Sequence, residues 1–151
     1  MLHKSLLLLV FVLTSSGVFA DTLDQDPALA FAEGVRMFEA KEYAGAAAAL
    51  DVAIAIAPTN DDYFHWRGRA YGRLAEQASW FSAVKFAKLT RDSFERAVQI
   101  NPNNSGALAD LAQYYAEAPG FLGGDEAKAE VLRARLKSLP SLGSSEAAVT
   151  P

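Results

Sequence analysis

Two stretches of this chain, residues 50–60 (LDVAIAIAPTN) and 94–104 (FERAVQINPNN), follow one pattern position by position. A bulky apolar residue (Leu50, Phe94) is followed three positions on by Ala (Ala53, Ala97), then Ile (Ile56, Ile100), Pro (Pro58, Pro102) and Asn. Proline cannot continue a helix and drives the residue before it out of the α region. Each stretch therefore closes a helix and opens a turn. A pattern written twice is an internal repeat, which restricts the chain to stacked copies of one helical unit.

The other helix boundaries follow from caps. Asp26-Pro27 pairs an N-cap with a proline at the first helical position, where the missing N–H costs nothing. Beyond it Leu29, Phe31, Ala32, Val35, Met37 and Phe38 recur at three- and four-residue steps, which predicts an amphipathic helix ending at Lys41-Glu42. A second helix spans 43–57 and is rich in Ala. Small side chains let helices approach closely, so Ala46, Ala49 and Ala53 are expected at a helix–helix contact. Asn60-Asp61 caps a third helix, 62–77; Pro119 stops a fifth; Asp125 caps a sixth that runs to Leu139.

These residues resemble the tetratricopeptide repeat, a helix-turn-helix unit of about 34 residues with the signature W-x2-L-G-x2-Y, then A-x3-F, then P. In the first unit, 27–60, Gly34, Ala46 and Pro58 match, Met37 and Leu50 stand in for aromatics, and Ala30 and Glu33 depart from the large apolar positions. In the second, 61–104, Phe64, Gly68, Tyr71, Phe94 and Pro102 match, while Arg67 and Thr90 replace Leu and Ala. The third, 105–140, sets Leu108, Leu111, Ala112 and Tyr115 at first-helix positions and Ala127 and Val131 at second-helix positions, with Pro140 one residue late. The resemblance implies an all-α fold: a right-handed superhelix of three antiparallel helix pairs, six helices in all.

Two departures from the repeat are informative. Pro58 and Pro102 lie 44 residues apart, about ten more than the family period. The extra residues fall between Leu74 and Thr90, where 79–88 (SWFSAVKFAK) has no Pro or Gly and continues a helical pattern through Trp80, Val84, Ala87, Phe94 and Val98. Ten residues are about 2.8 helical turns, so the expectation is a longer fourth helix that keeps its phase and projects beyond its neighbours. The second departure is 118–124 (APGFLGG), which replaces a tight inter-helix turn. A long second repeat together with an APGxxGG loop resembles a group of exported bacterial tetratricopeptide proteins.

Residues 1–20 combine a short basic head (His3, Lys4), an apolar run at 6–13 and a small-residue exit at Val18, Phe19 and Ala20, the pattern of a signal peptide cleaved after Ala20. An uncleaved anchor is the alternative reading, and a periplasmic or secreted location is expected. Removing this segment takes away Lys4 and leaves 13 basic against 18 acidic residues, a charge of −5. A nucleic-acid backbone requires a clustered basic surface, which an acidic exported chain lacks. The absence of Cys excludes disulfides, thiolate metal sites and a lipid-modified cysteine. The remaining residues suffice for one domain with a core. Residues 141–151 lack apolar periodicity and are expected to form a disordered tail.

The family's ligand groove is lined by the first helix of each unit. Carried over, its ligand-facing positions are Phe31, Val35 and Glu39, then His65, Arg69 and Arg73, then Ala109, Gln113 and Glu117. His65, Arg69 and Arg73 share one helix face with Trp66 beside them, and three donors in a row suit a carboxylate or phosphate. The alternative is a solvated basic face paired with Asp62, Glu76 or Asp110. Chaperone-binding members grip a C-terminal carboxylate with Lys and Asn where Phe31 and Val35 stand here, so the resemblance implies an apolar peptide segment with one anionic group. A secondary surface is formed by Trp80, Phe81, Phe86 and Leu89 with Lys85 and Lys88, suited to a membrane face, a partner helix or core packing of the inserted turns. Lys88, Asp92 and Arg96 form opposite-charge steps along the same helix. Residues 120–125 read as a plain turn, since a phosphate loop requires Gly-Lys-Ser/Thr.

No Ser has an evident His and acid partner, and one His remains after cleavage, so catalytic and metal sites are not expected, nor a cofactor. The expected function is an exported, non-catalytic adaptor that recognises a protein or peptide of the cell envelope. The alternatives are a small-ligand or transport-associated protein and a self-assembling structural component, since an array without polar caps leaves apolar ends.

Overall fold

The computed structural model describes residues 26–140; the signal segment and the C-terminal tail read from the sequence lie outside the described residues. The described chain is all-α, with no strand among these residues. Six helices follow one another: α1 (Pro27–Glu39), α2 (Tyr43–Ile56), α3 (Asp61–Gln77), α4 (Trp80–Ile100), α5 (Ser105–Glu117) and α6 (Glu126–Ser138), with a 3-10 turn, Gly120–Leu122, before the last. Each helix packs on the next, and the closest pairs are α1 with α2, α3 with α4, and α5 with α6. This is a tetratricopeptide-like arrangement of three helix pairs.

The caps at Asp26, Asn60 and Asp125 act as the sequence predicts, and Asn104 adds a fourth. Asp26, Asn60, Asn104 and Asp125 each accept a hydrogen bond from a first-turn N–H of α1, α3, α5 and α6 respectively. The two Pro-Asn turns are also tied to each other. Asn101 and Asn104 donate to one carboxylate oxygen of Asp61, at 3.0 and 2.7 Å, so the turn closing the second unit is latched to the start of α3. Between α1 and α2 the amides of Lys41 and Glu42 bond back to Phe38 and Met37, and Lys41 takes a φ of 63° where Gly is usual.

Within the first two pairs the helices meet at a glycine. A Cβ on Gly34 would stand 2.7 Å from Cγ of Leu50, and one on Gly68 would stand 2.5 Å from the Phe94 ring. The bulky residue of the repeat pattern therefore seats in the gap left by the signature glycine, and Leu50 and Phe94 are buried. Ala112 holds the corresponding place in the third unit and is also buried. Ala46, Ala53 and Ala97 fill the rest of the contact, whereas Ala49 is only half-buried and Ala47 takes the inward place expected of it. On α1 the inward positions are the small residues Ala30 and Gly34, and Leu29 lies exposed.

The inserted residues are shared between two helices rather than given to α4 alone. Helices α1 and α2 have 13 and 14 residues, α3 and α4 have 17 and 21, and the α3/α4 turn is one residue shorter than the α1/α2 turn. Four plus seven less one accounts for the ten. Sharing keeps the added turns paired, with the Tyr71 ring of α3 stacked on Phe86 of α4 at 6.0 Å. The third unit departs from its expected register. Ala127 and Val131 face outward, and Ala129 and Leu132 pack against Phe94, Leu111 and Tyr115 instead. The 118–124 loop causes this by adding residues between α5 and α6 that no earlier pair contains.

That loop is a self-contained turn. The amides of Leu122, Gly123, Gly124 and Asp125 all donate to backbone carbonyls, Gly123 has φ 93°, and a side chain at Gly124 would strike the Ala118 carbonyl. The amides that lead into α6 are thus taken by backbone carbonyls of the loop and of α5. Arg91 and the Tyr114 hydroxyl both donate to the Leu122 carbonyl, at 3.2 and 3.0 Å, and tie the loop to α4 and α5.

Replacing Gly68 by Ala forces a buried ring to move and is expected to cost about 1–3 kcal/mol. Gly120→Ala, at a position with nothing within 4 Å, is expected to stay within about 0.5 kcal/mol of the parent. Urea denaturation of the two variants checks both.

Candidate functional site

A groove of about 400 Å³ opens along the C-terminal halves of α1, α3 and α5. Its walls are Phe38 of α1, Arg69, Gly72, Arg73 and Glu76 of α3, and Asp110, Gln113, Tyr114 and Glu117 of α5. Ala87, Thr90 and Phe94 of α4 form its floor. The first helix of every pair contributes, as the repeat resemblance implies.

Of the seven residues expected in the groove, Arg69, Arg73 and Gln113 line it and His65, Trp66, Phe31 and Val35 do not. His65 is turned to α5, where its Nε2 lies 2.7 Å from the Asp110 carboxylate in a half-buried pair. Gly106 makes room for the ring, since a Cβ there would lie 2.7 Å from His65 Cε1. Phe31 is half-buried against Tyr63 and Trp66, with ring centroids 4.9 and 6.4 Å away, and Val35 is half-buried outside the walls. Phe31 sits in the second turn of α1, before the groove begins, and Val35, three residues ahead of Phe38, lies outside its lining. Glu39 and Ala109 are exposed and also outside it, whereas Glu117 lines it.

Arg69 is the centre of the site. Its guanidinium lies 4.2 Å from the Trp66 ring centroid and 4.8 Å from that of Phe38, and it makes no ion pair among the described residues. Stacking uses the faces of a guanidinium and leaves its in-plane N–H groups available to an acceptor. Arg73 is engaged, donating to Glu76 at 2.9 Å, a hydrogen bond that raises its pKa above the ordinary arginine value. Gln113 donates to Glu117 at 3.1 Å. The row of three donors is therefore divided: His65 and Arg73 have the acidic partners that the solvated-face reading anticipated, and Arg69 alone has none. With Glu76, Asp110 and Glu117 beside it, the groove carries mixed charge rather than a basic field.

The inserted turns supply Ala75 and Glu76 to the walls and Ala87 to the floor. Thr90, where the repeat expects Ala, is buried and bonds its hydroxyl back to the Phe86 carbonyl at 2.9 Å. The second-repeat Arg67, where the repeat expects Leu, runs out to Asp51: its Nε lies 2.8 Å from the carboxylate but off the N–H axis, an ion pair rather than a hydrogen bond.

The secondary surface is exposed, not core. Trp80 and Phe81 stand at the start of α4 at 65% and 87% exposure, with Lys85 and Lys88 exposed beside them; of the aromatics named there only Phe86 is packed, against Tyr71. The expected Lys88–Asp92–Arg96 steps do not form. Asp92 is taken by Arg91 at 2.8 Å, and Arg96 reaches Gln99.

At the groove's far wall, burial raises the pKa of the Tyr114 hydroxyl, and burial reinforced by a 2.6 Å hydrogen bond to Glu95 raises that of Tyr115 well above the ordinary phenol value. No protein-family model and no curated protein matches this chain.

A folded-state pKa above the unfolded one means that the stabilisation is complete below the unfolded phenol value of 10.0 and is lost as pH rises toward the folded value. Stability is thus expected to fall as pH rises above about 10, and Tyr115→Phe to flatten that fall. Urea midpoints across this range check the slope.

Proposed function

We propose that this chain is an exported, periplasmic or secreted adaptor of the tetratricopeptide type, without catalytic function or cofactor, that holds a protein or peptide partner of the cell envelope in the α1/α3/α5 groove. The observation that carries the reading is Arg69, whose guanidinium lies against the Trp66 and Phe38 rings, themselves perpendicular, and forms no ion pair among the described residues. An anionic group of an extended peptide fits there, while Gln113 and Glu117 offer a donor and an acceptor to a neighbouring peptide unit. Phe38 and Phe94 supply apolar wall for its side chains. His65 does not line the groove and is held by Asp110 between α3 and α5, which supports a bracing role for it. The cavity volume also falls within the size range of small-molecule sites, which supports a transport-associated carrier as the second reading.

The test is capture from envelope extract by the purified chain, beside the Arg69→Ala/Arg73→Ala variant. A discrete protein recovered by the parent and reduced at least about tenfold in the variant is expected, since a hydrogen bond to a charged group contributes about 1.5–3 kcal/mol. Equal recovery by both removes the groove from the interaction. A rise in melting temperature with a small ligand, and no protein captured, favours the carrier.

A further inference from the structure

Beyond Glu76, the turn that joins α3 to α4 and the first residues of α4 lie outside the groove lining. Trp80 and Phe81 open α4 there, and the Phe121 ring, brought in from the 118–124 loop, lies 6.0 Å from that of Trp80 at 63% exposure. Three large aromatics from two separate elements thus form one solvent-facing patch. Water contact with this much apolar surface is unfavourable, and such a patch marks a contact with something else. Phe121 is not there by slack, since the loop is held to α4 and α5 through the Leu122 carbonyl.

Charge identifies the occupant. At 100° per residue Trp80, Phe81, Val84, Lys85 and Lys88 share one arc of α4, so two exposed lysines flank the rings in a chain whose net charge is −4. Neither lysine forms an ion pair among the described residues, and the nearby carboxylate of Glu76 is taken by Arg73. The α4 N-terminus adds positive partial charge to the same end: its first turn holds no acid and Ser79 makes no side-chain cap. We propose that this tip docks on an anionic bilayer surface, with the three rings at the headgroup level and Lys85 and Lys88 on lipid phosphates. Tryptophan and phenylalanine beside lysine are the side chains suited to that interface. The acidic remainder of the molecule is repelled by the same surface, which points the tip toward it. A second copy fits worse, because a two-fold contact through this patch sets four lysines against one another. No described helix is long and apolar enough to cross a membrane, so the contact is peripheral.

The chain has two tryptophans, so Trp66→Phe in the full chain leaves Trp80 as a reporter at the tip that is blind to membrane contact elsewhere. With vesicles of equal parts phosphatidylcholine and phosphatidylglycerol, Trp80 emission is expected to move to shorter wavelength and to be quenched by brominated acyl chains. Lys85→Gln/Lys88→Gln is expected to weaken that response about thirtyfold, from roughly 1 kcal/mol for each lysine. The Trp80→Phe chain, reporting from Trp66, is expected to show no change. Should Trp66→Phe not fold, Ser82→Cys carrying an environment-sensitive dye gives the same reading, since the chain has no other cysteine and Ser82 is exposed. An emission that ignores both anionic and pure phosphatidylcholine vesicles overturns the proposal. So does a response undiminished by loss of the lysines, or a shift that appears without lipid as protein concentration rises and assigns the patch to a second copy.

Discussion

The architecture depends on one contact made twice, a bulky side chain of a second helix seated where a first helix has no Cβ. Leu50 against Gly34 and Phe94 against Gly68 set how closely the helices of each pair approach. Any side chain at those glycines displaces a buried group, and any smaller residue at 50 or 94 leaves a void; truncating a buried Leu to Ala costs about 2–5 kcal/mol. Because the contact lies mid-helix, it fixes separation without fixing length. The helices can therefore grow at their free ends while the pair stays in register.

The second unit uses that freedom. Ten residues added at the α3/α4 end lengthen both helices, by four and by seven, so the new turns pack on each other. Lengthening one helix alone would have left an unsupported projection, and isolated helical segments of that size are marginal in water. The inner faces of the new turns complete the groove with Ala75, Glu76 and Ala87, while their outer end carries Trp80 and Phe81. The 118–124 loop meets the lengthened pair. It reaches the lengthened α4 through Arg91 and sets Phe121 beside Trp80, so the chain's two departures from its repeat meet in space.

Much of this was legible because it is written in local chemistry. The Pro-Asn turns, the Asp and Asn caps and the glycine/bulky pairs are short-range signals, and the helix order follows from them. The register of α6 was not legible, because Ala127 and Ala129 satisfy a small-residue pattern equally well and the choice is made by how the 118–124 loop enters the helix. The groove was legible to the level of the helix but not of the turn. Arg69, Arg73 and Gln113 line it, yet Phe31 lies two turns too early on α1, and Phe38, three residues beyond Val35, takes the wall. Which cations are claimed by acids is a matter of three-dimensional neighbours: Asp110 is one of three acids able to pair with the row, but that His65, 45 residues away, takes it is set by how α5 packs on α3.

The same insertion that deepens the groove also builds the tip, and this has a geometric consequence. Glu76 in the groove wall and Trp80 on the tip are separated by four residues around one tight turn. A peptide lying along Arg69 and Arg73 therefore ends within a few residues' reach of whatever the three rings contact. If the tip rests on a bilayer, the groove opens beside the headgroups, and segments emerging from membrane proteins are presented to it without crossing bulk water. The mixed charge of the groove suits that setting. A purely basic groove would itself be drawn to an anionic surface, whereas Glu76, Asp110 and Glu117 offset the arginines and leave the lysines and rings of the tip to decide which way the molecule faces.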